Sequence, residues 1–488
     1  EELQLPVSPL KKKRAGSLRT RSSKTRTPSR ALNTTLSRKG AVSSPTLSTD
    51  NSPCASPLHT PHIPSPLSLE SAAPPDACNG TRRTLVVDTA TSSVVQGTAD
   101  ELIDCLSDPA IGSFFQTQFF LTYHNFTTPC HVLDRLISTF HEAEEDDRVN
   151  CILNVLKRWM SHHSYDFTEK PTRRKVHFFI TRDLPAAGLD NWSLELRSLQ
   201  DELKKKLRLL RRSSNSEPTT SAQQSKISSV LELSPVEVAR QLTLQQHDVF
   251  CLVMPCECHN TKWNEPRAEE LCPNLTRAIK QFNEISYWVA SEVLQHPSPK
   301  QRASVIKAFI HIAERCYAFN NYNTVMEIIS GLYLSSIQRL RKTWKLIPKR
   351  YGELLESYLQ IMSNSQNYKT YRTMLKKSMP PISPYIGIYL QDLMFIATTY
   401  TTYLDPEKKV VNFEKMRMEA AIIKEMTKYQ AVQYDFPPNP KIQAYFLEAV
   451  KYSDEELHKF STCYETIGDA PMAPKKEATF TLRGRKNG

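Results

Sequence analysis

The stretch SPYIGIYLQDLMFIATTY, residues 383–400, decides how the rest of the chain is interpreted, because it carries one formal charge in eighteen positions. Apolar side chains recur at helical spacing along one side and also fill the opposite side. The first set is Ile386, Leu390, Leu393 and Met394, and the second is Ile388, Tyr389, Phe395 and Ile396. A helix that is apolar on nearly all sides is expected in a core, in a membrane or against another protein.

The same stretch is too short to be a membrane span. A span needs about 20 consecutive apolar residues, and Gln391 and Asp392 interrupt the run before that length is reached. No other stretch qualifies, and the basic, Ser/Thr-rich beginning of the chain does not resemble a signal peptide. We therefore expect a soluble, cytoplasmic protein that is recruited to membranes by other means.

The positive charge is concentrated at the N-terminus. The chain has a formal net charge of +12, and residues 1–85 alone contain 13 Lys or Arg against 5 Asp or Glu. The remainder is close to neutral for its size, which argues against a body that binds nucleic acid. The cysteines have no paired spacing, as expected of reduced thiols rather than a disulfide framework.

Composition and periodicity divide the chain into five segments of an all-α protein. The low-complexity segment 1–85 cannot bury enough apolar surface to fold, so it is predicted to be a disordered tail. Two helical modules follow at 86–168 and 232–468, separated by a helical or flexible linker at 169–231, and a basic tail occupies 469–488. No useful strand-like alternation is present, and capping boxes are predicted for Thr98 with Glu101 and for Ser234 with Glu237.

The sequence offers no conventional chemistry. Glycine-rich phosphate-binding loops are absent, and no nucleophile lies at a telling spacing from a base. The run CLVMPCECH (251–259) has three cysteines and a histidine, but no second ligand pair is placed to complete a zinc site. We therefore predict no cofactor, no metal and no bond-making catalysis.

A second helix is predicted directly after the opening one. Asp405 and Pro406 break the first helix, and NFEKMRMEAAIIKEMTKYQ (412–430) starts another with Asn412 as its N-cap. Together they form an antiparallel helical hairpin. Its first arm is too apolar to be explained by pairing with the second alone, so the hairpin either packs on its own domain or acts as a wedge in another protein.

Several runs resemble the Ras-family guanine-nucleotide exchange factors. FNEISYWVASEVL (282–294), NNYNTVMEIISGLYLSSIQRLRKTW (320–344), NYKTYRTML (367–375) and PPISPYIGIYLQDL (380–393) look like the catalytic domain. FFLTYHNFTTPCHVLDRLI (119–137) and VLKRWMSHHSYDF (155–167) resemble the Ras exchanger motif module that precedes it in many members. The likeness covers roughly 85–168 and 232–468, in the order that the family has.

The resemblance implies a mechanism and a set of site residues. In that family the hairpin inserts beside the nucleotide of a small GTPase and disturbs the magnesium and phosphate contacts. The wedge positions match Met394, with its neighbour Leu393, and Thr398, where this sequence lacks the carboxylate of several members. The surface that grips the GTPase corresponds to Lys280, Met326, Tyr333, Ser335, Gln338, Tyr368 and Tyr385.

Three hypotheses follow. The first is an exchange factor for a Ras-family GTPase, with Ras as first choice and Rap or Ral as alternatives, whose N-terminal module braces the hairpin. The second is a scaffold that docks a GTPase but has lost exchange, suggested by Thr398 and Tyr333. The third, nucleic-acid association, rests only on the basic tail. The basic tails are also expected to meet an acidic membrane surface or a recruiting protein.

Overall fold

The computed structural model describes residues 84–88, 93–215 and 227–465. The predicted C-terminal tail and all of the predicted N-terminal tail except its last two residues lie outside these ranges, as does residue range 216–226 of the predicted linker. The described part is overwhelmingly helical, which confirms the predicted all-α class.

The first group of helices occupies the N-terminal third of the described chain. These helices are α1 (Ala99–Asp104), α2 (Ser113–Thr122), α3 (Pro129–Glu142), α4 (Asp146–His162), α5 (Lys170–Phe178), α6 (Leu184–Ala186) and α7 (Asp190–Asn215). A π-helical turn, Phe179–Asp183, joins α5 to α6. Short 3₁₀ turns lie at Cys105–Ser107, Tyr123–Asn125 and Ser164–Phe167.

The second group begins after the undescribed gap. Its members are α8 (Pro235–Leu252), α9 (Ala268–Leu271), α10 (Pro273–Leu294), α11 (Pro299–Ala318), α12 (Tyr322–Leu332), α13 (Ser335–Gln338), α14 (Arg341–Trp344), α15 (Lys349–Ile361), α16 (Lys369–Lys377), α17 (Ile386–Thr399), α18 (Phe413–Tyr429), α19 (Pro440–Glu448) and α20 (Asp454–Tyr464). Further 3₁₀ turns lie at Val230–Glu232, Pro255–Cys258 and Lys262–Asn264.

A small antiparallel sheet corrects the expectation that the described part has no strands. β1 (Val86–Asp88) pairs with β2 (Ser93–Gly97), and β3 (Tyr403–Asp405) pairs with β4 (Val410–Asn412). The two hairpins join because β2 pairs with β4, giving the order β1-β2-β4-β3. Strands of three to five residues leave too little alternation to be recognised in the sequence.

Two hydrophobic cores organise the helices. The N-terminal core gathers buried side chains from α1 to α7, and it includes Val411, Phe413 and Met416 from the far end of the chain. The larger core gathers side chains from α8 to α20. Helices α5 and α7, in the segment predicted as a linker, pack into the N-terminal core through Val176 and Leu196.

The helix ends follow the predicted capping residues in two cases of three. Thr98 and Glu101 form the predicted capping box of α1, and Asn412 caps α18 by accepting from the Lys415 amide. Ser234 and Pro235 do begin α8, but the Ser234 side chain makes no capping bond. That predicted box is wrong because Glu237 instead accepts from the Gln241 side-chain amide at 2.8 Å.

Within the described residues, no helix is both long enough and apolar enough to cross a bilayer.

Candidate functional site

The first half of α17 is buried in its own domain, and this burial accounts for its apolar composition. Ile386, Ile388, Tyr389 and Leu390 all belong to the larger core. Near the start of the helix, Gly387 leaves no room for a side chain, because an added Cβ would lie 2.5 Å from the Tyr385 ring. The apolar residues on opposite sides of this half therefore serve internal packing.

The second half of α17 presents an apolar face to solvent. Met394 is 39% exposed and Phe395 is 53% exposed. Gln391 and Thr398 are exposed beside them, at the spacing of one helical face. We call Gln391, Met394, Phe395 and Thr398 the open face of α17. A cluster of exposed large apolar side chains on a helix is a common mark of a protein-binding surface.

The predicted wedge residues divide between this face and the core. Met394 and Thr398 lie on the open face, whereas Leu393 is only 2% exposed and packs in the larger core. Successive helical residues differ in direction by about 100°, so adjacent positions face different surroundings. The Thr398 hydroxyl donates back to the Met394 carbonyl at 2.9 Å, and this position carries no charge.

The residues predicted to grip a GTPase divide in the same way. Lys280, Ser335 and Gln338 are exposed, and Tyr333 is half-buried. Met326, Tyr368 and Tyr385 are buried. Met326 lies on α12 within the larger core, and the Tyr385 ring packs against Phe282 with centroids 5.6 Å apart. The structure thus places four of the seven side chains at the surface and three beneath it.

Close packing of α10 against α12 sets the position of Tyr333. At Gly331 an added Cβ would lie 2.4 Å from the Ser286 carbonyl and 2.7 Å from the Val289 Cβ. The two helices therefore approach at a point where no side chain fits. Tyr333 follows as the C-cap of α12, at the end of a helix whose position is fixed by this contact.

An ion pair anchors the middle of α17. Arg372 on α16 donates to Asp392 at 2.9 Å and also bonds the Asn367 carbonyl at 2.9 Å. Burial raises the pKa of the Asp392 carboxyl, while the Arg372 guanidinium opposes that rise. Asp392, the one charge in the opening stretch, therefore ties α17 to its neighbour rather than facing solvent freely.

The second arm of the hairpin, α18, is held by the N-terminal group of helices. The Phe413 ring lies 4.9 Å from the Phe115 ring on α2, measured between centroids. Strand β4, which leads into α18, pairs with β2 through Gln96 with Asn412 and Gly97 with Val411. The base of α18 is therefore fixed by both apolar packing and strand pairing.

A buried polar cluster adds to this contact. The Asn125 side-chain amide donates to Glu419 Oε2 at 2.6 Å, and Lys415 Nζ donates to Thr402 Oγ1 at 3.0 Å. Burial raises the pKa of Glu419, with Lys415 and the Asn125 bond acting in the opposite direction. His259 is fully buried beside Glu419, at 4.0 Å between Nδ1 and Oε2. The cluster links α18 to the turn after α2 and to the loop between the two arms.

Two features of this region were missed by the sequence analysis. Phe395 is the most exposed apolar residue of the open face, and its position next to Met394 could have indicated it. Asn125 carries no comparable signal, because its partner Glu419 lies 294 residues away.

In the described ranges, no three His, Cys, Asp or Glu side chains form a group that could hold a metal ion.

Comparison with known families agrees with the architecture. The model of the RasGEF domain matches residues 237–417, and the model of the RasGEF N-terminal motif matches residues 93–179. The second match covers most of the N-terminal helices, and the first ends within α18.

Similar proteins carry exchange-factor names. Ras guanine nucleotide exchange factor Y of Dictyostelium discoideum is 28% identical over 429 residues, covering 75% of this chain and 28% of that protein. Exchange factor Q of the same organism is 40% identical over 235 residues, covering 48% and 18%. Ras-specific guanine nucleotide-releasing factor 1 of Mus musculus is 32% identical over 331 residues, covering 65% and 25%.

The chain thus spans less than a third of the length of each of these three relatives. Both domain matches occur in the order expected from the sequence, and each covers the first part of one of the two helical groups. The chain belongs to the RasGEF family and contains a RasGEF domain preceded by the RasGEF N-terminal motif.

Proposed function

We propose that this chain promotes the release of GDP from a Ras-family small GTPase, and so allows GTP to enter, by inserting the tip of its helical hairpin beside the nucleotide. The observation that carries this proposal is the open face of α17. Met394 and Phe395 are exposed on a helix whose first half is packed in the larger core, so they can meet a partner without unfolding the arm.

The physical requirement for exchange is a difference in affinity. An exchange factor must bind the nucleotide-free GTPase more tightly than the loaded one, since equal affinity would shift nothing. A ten-thousandfold acceleration of release corresponds to a barrier lower by about 5.5 kcal/mol. An apolar side chain in the place of the magnesium ion would contribute, because phosphate charge left without its cation is costly.

Met394 is our proposed wedge residue, with Phe395 beside it. Thr398 contributes a neutral surface, so this chain would rely on displacing the metal more than on mimicking phosphate charge. Leu393 supports the wedge from inside the core. No covalent bond is formed or broken in this scheme, and docking alone accelerates the release of GDP.

The docking surface has exposed and supporting members. We propose that Lys280, Tyr333, Ser335 and Gln338 contact the GTPase directly, since their side chains are exposed or half-buried. Met326, Tyr368 and Tyr385 would hold that surface in shape from beneath. A rigid support matters because a wedge that yields cannot keep the nucleotide site open.

The N-terminal motif would set the position of the hairpin. Phe115 packs on Phe413, β2 pairs with β4, and Asn125 binds Glu419. Each of these contacts reaches the second arm and leaves the open face of the first arm free. In this proposal the motif acts as a brace on the hairpin, and the RasGEF domain carries the surface that meets the GTPase.

Release of labelled GDP from purified Ras, Rap and Ral tests the function and the target. We expect strong acceleration with Ras and weaker acceleration with Rap or Ral. The absence of acceleration with all three would contradict the proposal.

A GTPase-binding scaffold is the alternative function, favoured by the neutral side chain at Thr398. A scaffold would bind the nucleotide-free GTPase without accelerating GDP release from it. Measuring binding and release on the same preparation therefore separates the two functions.

A further inference from the structure

A dense cluster of positive charge follows α13 on the surface of the RasGEF domain. Six of the twelve residues from 339 to 350 are Lys or Arg, and none is Asp or Glu. Lys342, Lys345, Lys349 and Arg350 are exposed, and Arg341 is half-buried. We call these five residues the basic surface.

The backbone beneath this surface is firmly anchored. Leu340 and Thr343 are buried, and the Trp344 indole donates to the Ile337 carbonyl at 2.9 Å. Thr343 Oγ1 lies 2.9 Å from Nε of Arg302, a fully buried residue of α11. Leu340, Thr343 and Trp344 are therefore held inward, while the cations of this short segment remain at the surface.

Neighbouring carboxylates do little to neutralise the basic surface. Glu465 is buried and already bonded to Arg302 at 3.1 Å, so its charge is compensated within the core. Lys349 and Glu353 form a pair at 3.2 Å, but both side chains are highly exposed and such a pair is weak. Among the described residues, no carboxylate lies within salt-bridge distance of Arg341, Lys342, Lys345 or Arg350.

An apolar side chain stands in the middle of these charges. Leu346 is 45% exposed, between Lys345 and Lys349 in the chain. Cations that surround an exposed leucine or aromatic residue are typical of surfaces that dock at a lipid headgroup layer. A surface that binds nucleic acid through phosphate contacts has no need of an exposed leucine.

The end of the described chain lies against the basic surface. Glu465, its last residue, accepts from the backbone amides of Lys342 and Thr343 at 2.8 and 3.1 Å. The sequence that follows, residues 466–488, contains five Lys or Arg against two Asp or Glu. The described chain therefore ends against the backbone of the basic surface, and the sequence that follows carries a net positive charge.

We infer that the basic surface docks the RasGEF domain on an anionic phospholipid bilayer. Lys and Arg held near such a surface each add about a fivefold gain in affinity at physiological salt. Leu346 would enter the headgroup layer between them. The lipid contact extends the proposed function, but it requires no exchange activity in order to be measured.

The test compares the full chain with a Lys342→Glu, Lys345→Glu, Lys349→Glu triple variant in sedimentation with vesicles. We expect the unchanged chain to bind phosphatidylcholine vesicles containing about 30 mol% phosphatidylserine, and not vesicles of phosphatidylcholine alone. The triple variant should bind the anionic vesicles at least tenfold more weakly, and Leu346→Asp should also weaken binding, by a smaller factor.

A matched control carries the same charge change elsewhere. Lys170, Arg174 and Arg182 are exposed cations of the N-terminal group of helices and the turn after α5, and reversing all three should reduce binding far less than the triple variant does. GDP release measured without lipid should be the same for both variants as for the unchanged chain, which shows that they are folded.

Two results would overturn the inference. One is equal loss of vesicle binding in the triple variant and in the control. The other is a triple variant that loses binding to duplex DNA while keeping its affinity for vesicles. If the unchanged chain releases no GDP from any GTPase, the proposed function fails, but the vesicle comparison still decides the lipid contact, with circular dichroism then showing that the variants are folded.

Discussion

The two arms of the hairpin are both apolar helices, yet they bury their side chains in different places. The first arm, α17, contributes Ile386 to Leu393 only to the larger core. The second arm, α18, contributes Phe413 and Met416 to the N-terminal core and Ala420 onward to the larger core. One arm thus belongs to a single domain, and the other joins two.

Because of this difference, the residues that fix the position of the hairpin are not the residues that would contact a partner. Since α18 is shared between the cores, the N-terminal motif can fix the hairpin without covering the open face of α17. The exposed residues Met394 and Phe395 lie on the arm that the motif's core does not include. Substitutions in the two arms should therefore affect stability and exchange differently. The predictions below are ordered by the size of the expected effect.

The largest effect is expected where α18 enters the N-terminal core. Phe413→Ala removes a fully buried ring that packs on Phe115, and it should lower the free energy of unfolding by roughly 3–5 kcal/mol. Exchange should fall with it, because the hairpin loses its support. Chemical denaturation measures the first effect, and an unfolding midpoint equal to that of the unchanged chain would show that the motif does not hold this arm.

Two adjacent residues of α17 should behave oppositely. Leu393→Ala, in the core, should cost roughly 2–5 kcal/mol of unfolding free energy. Met394→Ala, on the open face, should change it by less than about 0.5 kcal/mol. Thermal unfolding of both variants checks the contrast, and equal destabilisation would mean that the open face is not open in solution.

The polar cluster should have an intermediate effect. Asn125→Ala leaves the buried Glu419 carboxylate without its closest donor, so unfolding free energy should fall by about 1–3 kcal/mol. Asn154→Ala removes an exposed amide that bonds only within its own helix, and it serves as the control. Equal unfolding midpoints in urea for the two variants would exclude a bracing role for Asn125.

The smallest effect concerns the start of the first arm and depends on pH. Asn323 accepts from the Ile386 amide at 3.4 Å and donates to the buried Glu327 at 2.8 Å. Burial raises the pKa of Glu327 well above its ordinary value of 4.5. The protonated form is therefore favoured by folding, and its stabilisation is present below pH 4.5 and lost as pH rises toward the folded-state pKa.

Glu327→Gln keeps a neutral side chain at every pH. The difference in melting temperature, variant minus unchanged chain, should increase by about 2–4 °C from roughly pH 5 to pH 8. Differential scanning calorimetry across this range measures the shift. A difference that stays constant with pH would show that Glu327 keeps its ordinary pKa.

The sequence predicted the helices well because their signals are local. The Thr98 box, the Asn412 cap and the hairpin itself depend on residues within a few positions of one another. The Ser234 box did not form, because the Glu237 carboxylate accepts from the Gln241 and Arg240 side chains on the same helix and not from the Ser234 backbone amide. Local patterns suggest which bonds are available, but not which alternative is occupied.

The long-range features could not be predicted in the same way. Pairing of β2 with β4 joins residues more than 300 positions apart, and strands this short have no periodicity of their own. In α17 apolar residues lie on every side, so the sequence pattern places Leu393 and Met394 in one set and does not indicate which of them faces outward. Only the packing of the folded chain separates them.

The most direct test of the central claim uses Met394→Ala in the full chain. We expect the stimulated rate of GDP release from Ras to fall by at least about tenfold, while affinity for nucleotide-free Ras changes by less than about threefold. Met394→Leu, which keeps an apolar side chain of similar size, should retain most of the activity. Full exchange activity in Met394→Ala would contradict the account.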